Sequence, residues 1–243
     1  MQTWGLTDPG NIRQQNQDAY AIVPFGRDRV LMIVCDGMGG AKSGNVASSL
    51  AVEVFTDEVR RTQKAGMSPE KASAMLRSAL ELANRAVFEQ SQLSEDFTGM
   101  GTTLVAAWLN RDLAVIINVG DSRAYHFTKE DVRLVTRDHS MVAYMVERGE
   151  LTQEQAKLHP GKNVITRAVG TEPEVEGDVF TCRLRRDECI LLCSDGLSNE
   201  MADQEMLFEV AHGVRRSDCC RRLLSIAKNR GAPDNVTVVL AQC

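Results

Sequence analysis

Two runs of apolar residues, LAVIINV at 113–119 and CILLC at 189–193, carry almost no polar face, and VLMIV at 30–34 is a third. A strand without polar alternation has to be covered on both sides, so this chain must fold in layers. The remaining strand candidates are 19–24, 103–109, 123–127 and 235–241. Helical spacing of apolar residues marks 44–62 and 69–92, the second opening with Ser68 as cap and Pro69 in its first turn. Shorter helices are expected at 140–148, at 153–158 behind the Thr152/Gln155 capping box, and at 204–211 and 218–229. Groups of strands separated by pairs of helices suit stacked antiparallel sheets with helices outside, not strict βαβ alternation. The reading is an α+β fold, a four-layer sandwich. No linker, repeat or charge block divides the 243 residues, so a single domain over 1–243 is expected.

Four of these strands have an acid at their edge. VLMIVCDGMGG stops at Asp36, CILLCSDGL at Asp195 and AVIINVGDSR at Asp121, while PDNVTVVLA opens with Asp234. An Asp-Gly pair ordinarily closes a hairpin. Here neither Asp36-Gly37 nor Asp195-Gly196 is followed by a returning strand, because both lead into helical sequence. Carboxylates gathered from several strand ends repel one another and would take up protons unless a cation neutralised them. All-oxygen ligation favours magnesium or manganese over zinc, and shared carboxylates suggest two ions with water between them. Gly37 is a position where a backbone carbonyl could approach an ion unobstructed. TDPGNIRQQNQDAY adds Arg13, able to grip two phosphate oxygens, and Asp18.

Composition and missing motifs narrow the class. A formal net charge of -5 and only 5% aromatic residues leave no basic or stacking surface for nucleic acid. No apolar run approaches the roughly 20 residues that span a bilayer, and the N-terminus lacks signal-peptide character, so an intracellular, cytoplasmic protein is expected. The seven cysteines contain no C-x-x-C pair and mostly sit in apolar runs, which reads as buried reduced thiols. The four histidines show no i, i+4 pairing for zinc. No cysteine is followed six residues later by arginine, no two aspartates lie two apart, and no P-loop occurs. Direct attack by metal-activated water remains.

TDPGNIRQQNQDAY, VCDGMGG, GMGTTL, NVGDSRAY, RDHSMV, NVITRAVG, LCSDGL and DNVTVV, in this order, resemble the signature segments of the metal-dependent protein phosphatase (protein phosphatase 2C-like) family, in particular its compact bacterial members. The resemblance implies an αββα sandwich with a two-metal centre at one end, hydrolysing phosphoserine and phosphothreonine in proteins with manganese or magnesium. It places Asp36 between the two ions, the Gly37 carbonyl on one of them, and Asp195 and Asp234 as the other direct carboxylate ligands. Asp18 matches an acid that holds metal-bound water, and Arg13 matches the arginine that binds substrate phosphate. Asp121 lies where bacterial relatives hold a third ion together with the equivalent of Asp195. The stretch 137–170 resembles the flap beside the active site.

The chain departs from the family pattern at several points. Met38 stands where eukaryotic relatives carry a histidine proposed as general acid, and Ala41 where many bacterial relatives have one, so a metal-bound water would have to serve. Gln17 and Asn45 replace common glutamates, which would alter metal affinity before abolishing activity. Lys42 reads as a solvated lysine. Trp4, Trp108 and the methionines of 141–146 read as core or flap lining. Three functions compete. The first is a Ser/Thr phosphoprotein phosphatase, a monomer opposing an intracellular kinase and acting on that kinase and its substrates, without nucleic-acid or membrane partners. The second is a catalytically silent relative that binds phosphoproteins, and the third a hydrolase of small phosphomonoesters.

Overall fold

The computed structural model describes residues 1–39 and 43–243, so Ala41 and Lys42 fall outside it. In chain order the elements are β1 (Gln2–Asp8), β2 (Asp18–Pro24), β3 (Arg29–Met38), α1 (Gly44–Thr62), α2 (Pro69–Ser91), β4 (Gly101–Thr102), β5 (Leu104–Asn110), β6 (Leu113–Val119), β7 (Arg123–Phe127), β8 (Val132–Leu134), α3 (Met141–Glu147), α4 (Gln153–Leu158), β9 (Asp178–Arg183), β10 (Cys189–Cys193), α5 (Asp195–Ser198), α6 (Asp203–Leu207), α7 (Cys219–Asn229) and β11 (Val236–Gln242). One sheet has the order β1-β11-β10-β7-β8, the other β2-β3-β5-β6-β9, with β4 paired to β3. All pairings are antiparallel.

The period of two along each strand sorts its side chains into layers. On β3, Val30, Met32 and Val34 face the other sheet, where they meet Ile190, Leu192, Val239 and Ala241. Leu31, Ile33 and Cys35 point the opposite way, into a core shared with α1 and α2. Leu191, Cys193, Val238 and Leu240 likewise leave the outer face of the first sheet to pack on α5, α6 and α7. The result is the four-layer αββα sandwich expected from the strands that had no polar face.

In α1 the apolar positions Ala47, Ala51, Phe55 and Val59 recur every four residues, giving one buried stripe. In α2, Ser68 accepts from the Lys71 amide and Pro69 fills the first turn, as its sequence indicated. Alanines at 72, 79 and 83 let the two helices approach closely. Six cysteines are buried, Cys243 is partly so, and all seven are free thiols. Trp108 is fully buried, and Trp4 packs against the α7 core.

Some boundaries differ from the sequence expectation. β3 does not stop at Asp36. It continues through Met38 because Gly37 and Met38 pair with Thr102 and Gly101 of β4. β1, β8 and β9 were not anticipated, and the helix expected over 204–211 is α6 followed by a π-helical turn at Phe208–His212.

Candidate active site

Antiparallel order brings the acids to one end of the sandwich. β2 begins where β3 ends, and Asp18 is the register partner of Asp36. β6 ends beside the start of β5, with Val119 opposite Leu104, which sets Asp121 at the same edge. In the other sheet β10 ends at Cys193, opposite both Arg123 and Val238. Asp195 follows that strand end and Asp234 precedes the start of β11. Arg13, Asp36, Gly37, Asp121, Asp195 and Asp234 all line one open cleft of about 500 Å³. Asp18 is buried beneath it, with 8% of its surface exposed.

The strand ends are held by polar side chains that the sequence reading did not single out. The Thr103 hydroxyl accepts from the Asp36 amide at 2.9 Å and bonds Ser122 at 2.7 Å. The Asp36 carbonyl accepts from the Thr103 amide and the Thr102 hydroxyl. Asn235 ties the N-terminal loop to β11, donating to the Pro9 and Gln15 carbonyls and accepting from the Gln17 amide. Gly37 is obligatory, because a Cβ there would lie 2.0 Å from the Gly44 carbonyl oxygen and 2.7 Å from that of Gln17.

Asp18 Oδ2 accepts from the hydroxyls of Ser194 at 2.7 Å and Thr237 at 2.6 Å. Its Oδ1 is buried and has no hydrogen-bond partner. Asp195 repeats the pattern: Asn199 donates to Oδ2 at 3.0 Å, while Oδ1 is buried without a partner. Burial, and then mutual repulsion, drive the acids toward protonation. Burial lifts Asp18 to about 7, against the pull of the two hydroxyls and with help from Asp195 and Asp234. Asp121 reaches about 7 through burial, Asp195 and Asp138. Asp36 is pushed well above the ordinary carboxylate range by burial and then by Asp18, Asp195, Asp121 and Asp234, and Asp195 is raised by burial and Asp234.

Buried carboxylate oxygens without donors cost several kcal/mol unless a cation meets them. The donor set therefore fits hard divalent cations. Among the described residues no three carboxylate, imidazole or thiol groups form a ready-made cage. Oxygens that line a cleft in this way suit ions that keep several waters, as magnesium does, better than a closed structural zinc site.

Arg13 donates to Asp234 Oδ2 at 2.9 Å, with about half of its side chain exposed. The structure thus puts Arg13 against a carboxylate that the resemblance assigns to metal. Met38 lines the cleft and offers no proton donor. Asn45 is exposed on the first turn of α1, away from the cleft lining. The flap expected over 137–170 carries α3 and α4 between clasped ends. At one end Asp138 forms a forked ion pair with Arg123, and at the other the Thr166 amide donates to the His139 carbonyl. Asn163 and Ile165 bring its far side to the cleft.

A four-layer sandwich with a carboxylate-lined, arginine-bearing cleft at the ends of both sheets defines the class of metal-dependent phosphohydrolases. Residues 12–233 match the family model described as protein phosphatase 2C. The chain is similar to the serine/threonine phosphatase stp of Listeria welshimeri, 36% identical over 236 residues, covering 97% of this chain and 93% of that protein. The crystal structure of serine/threonine phosphatase Stp1 from Staphylococcus aureus superposes with a TM-score of 0.92 at 34% identity, over 99% of this chain and 94% of that one. The catalytic domain of the serine threonine protein phosphatase PstP, solved with two manganese ions, gives a TM-score of 0.84 at 30% identity, over 99% and 97%. The chain belongs to the protein phosphatase 2C family and is a protein phosphatase, not a catalytically silent relative.

Proposed function

We propose that this metal-dependent serine/threonine phosphatase works through a centre in which Asp36, Asp195, Asp234 and the Gly37 carbonyl hold two manganese or magnesium ions. Asp18 contributes through water, and Asp121 holds a third ion together with Asp195. Divalent ions so placed would lower the pKa of a bound water and neutralise phosphoryl oxygens, giving direct hydrolysis without a phosphoenzyme. Around them the chain's own residues have distinct tasks. Asp36, fixed on both sides by Thr103, orients the centre. Arg13, on the exposed N-terminal loop, leaves Asp234 and grips two oxygens of the substrate phosphate. The open cleft admits a phosphorylated side chain from a protein surface.

The observation that carries this reading is the pair of buried, unpartnered oxygens, Asp18 Oδ1 and Asp195 Oδ1, in an acid cluster beside an arginine. Substrates are phosphoserine and phosphothreonine proteins, among them an intracellular kinase and its targets. Residues 1–243 act as one catalytic domain, a monomer of the cytoplasm, with 137–170 as its flap. No helix among the described residues is long and apolar enough to cross a membrane.

The test is phosphate release from a phosphothreonine peptide by the wild type with manganese, the wild type with chelator, and Asp36→Asn with manganese. Turnover in the first alone supports the reading. Turnover in chelator or in Asp36→Asn overturns it, as does hydrolysis confined to small esters, which would make the protein a hydrolase of small phosphomonoesters.

A further inference from the structure

His139 lies near the start of the flap, and its ring sits between the Gly120 loop and Arg167 at the far end of the flap. His139 is buried, with 8% of its surface exposed. Its Nδ1 accepts from the Gly120 amide at 3.1 Å, and its own amide donates to the Gly120 carbonyl at 2.9 Å. Both polar groups of the residue before Asp121 are therefore held by one residue of the flap. An imidazole that accepts at Nδ1 carries its proton on Nε2, and that nitrogen lies 3.4 Å from Asp178 Oδ2, its acceptor, and 3.2 Å from Arg167 Nη1, which can only donate and so packs beside it. Asp178 is held in turn by Arg167 at 3.1 Å, and the His139 carbonyl receives the Thr166 amide at 2.8 Å. His139 thus touches both ends of the flap and the loop that carries Asp121.

Gly120 leaves little slack in this arrangement. Its φ is +99, and a Cβ would sit 2.6 Å from Thr103 Cγ2, the residue whose hydroxyl meets the Asp36 amide. Asn118 adds a second hold, donating to the carbonyls of Gly120 and Arg137. A loop pressed against Thr103 and bonded at both peptide groups has its direction set, and with it the direction of Asp121.

We infer that His139 is a positioning residue for Asp121, locking the base of the flap to the acid cluster so that Asp121 can hold its cation. The inference rests on the assignment of Asp121 to a third ion. The acceptor at Nδ1 is the essential feature. Asparagine places its Oδ1 where Nδ1 stands, whereas glutamine places its oxygen about one bond further out, near Nε2. The two amides match in chemistry and differ in reach.

The experiment compares wild type, His139→Asn, His139→Gln, Asp121→Asn and the double variant His139→Gln/Asp121→Asn. Manganese binding is followed by calorimetry and activity on a phosphothreonine peptide is followed across manganese concentration, with circular dichroism confirming the fold. His139→Gln is expected to weaken the loosest manganese site 10-fold to 100-fold, the range for supporting residues of metal ligands, with kcat recovered at high manganese and KM unchanged. His139→Asn should stay within about 3-fold of wild type, and the double variant should match Asp121→Asn alone, as coupled residues do. Equal behaviour of Asn and Gln overturns the inference, as does multiplication of the two losses in the double variant. If Asp121→Asn binds manganese like the wild type, the ligand assignment of Asp121 fails first, and the inference falls with it.

Discussion

Removing divalent metal and then raising pH should destabilise this protein steeply. Asp18 keeps its proton in the folded chain until about pH 7, whereas an unfolded aspartate releases it near 3.8. Between those values the folded state binds more protons, so stability is greatest in acid and falls as pH rises. Three pH units of difference correspond to about 4 kcal/mol at 1.36 kcal/mol each, of which about 3 kcal/mol disappears between pH 5 and 8. For a chain of 243 residues that is a fall in Tm of about 6–12 °C. Asp121 and Asp36 act in the same direction. Saturating manganese should close the gap, because a site occupied at 100 times its Kd adds about 2.7 kcal/mol and meets the ionised carboxylates with positive charge. Scanning calorimetry from pH 5 to 8, in chelator and in manganese, measures both. Asp18→Asn in chelator should lose about 3 kcal/mol of the pH dependence. A Tm in chelator that is flat or rising over this range refutes the reasoning, as does an Asp18→Asn variant with the wild-type slope.

Arg13→Ala removes an exposed ion pair, so it should move stability by less than about 1 kcal/mol while lowering kcat/KM on a phosphopeptide about 10-fold to 100-fold; steady-state kinetics and a melt separate the two effects. Gly37→Ala drives a Cβ into the Gly44 carbonyl oxygen and should cost about 3 kcal/mol, read as a lower denaturation midpoint, together with loss of activity. Asn84 is buried in α2, accepts from the Gly170 amide and donates to the Glu172 and Pro173 carbonyls. Asn84→Leu strands those groups and should cost about 1–3 kcal/mol, with faster amide exchange over 170–173 as the direct readout.

The layers were legible because apolar spacing alone encodes them. A strand such as β6, buried at every position, has no other place to go, and the four-residue repeat of α1 has one stripe to bury. β1 gave no such signal. Its residues alternate between partly buried and exposed without a clear period, and it becomes a strand only by pairing along its whole length with β11, at the opposite end of the chain. β9 at a sheet edge and the three-residue β8 are likewise made by their neighbours. The Asp-Gly pair at 36–37 read as a strand end because Gly37 weakens strand propensity, and β4 overrides it with two paired residues. The acids were legible because they recur at strand termini. Their hydroxyl partners were not, since Ser194 and Thr237 lie 176 and 219 positions from the Asp18 they hold. The contact of Arg13 with Asp234 spans 221 positions and was equally invisible.

What the sandwich solves is how to keep a cluster of acids ready for cations without coming apart when none is bound. Each of the two most telling carboxylates is divided in its partners: one oxygen of Asp18 belongs to Ser194 and Thr237, and one oxygen of Asp195 to Asn199, while the other oxygen of each is left without a donor. The bonded oxygen fixes the side chain's direction, and the unbonded one supplies the reason for a cation to bind. Strand ends are suited to this, because the ladders hold the backbone of Asp18 in register with Asp36 and bring Asp195 to the start of α5 just past the end of β10. The same division explains the position of Arg13. A half-exposed guanidinium can neutralise Asp234 while the cleft holds no cation, at little cost to break. With the proposed ligand set, charge would be balanced in both conditions, by arginine and retained protons in one and by divalent ions in the other. On the proposed ligand set, the arginine would become available for phosphate only once a metal had taken its carboxylate.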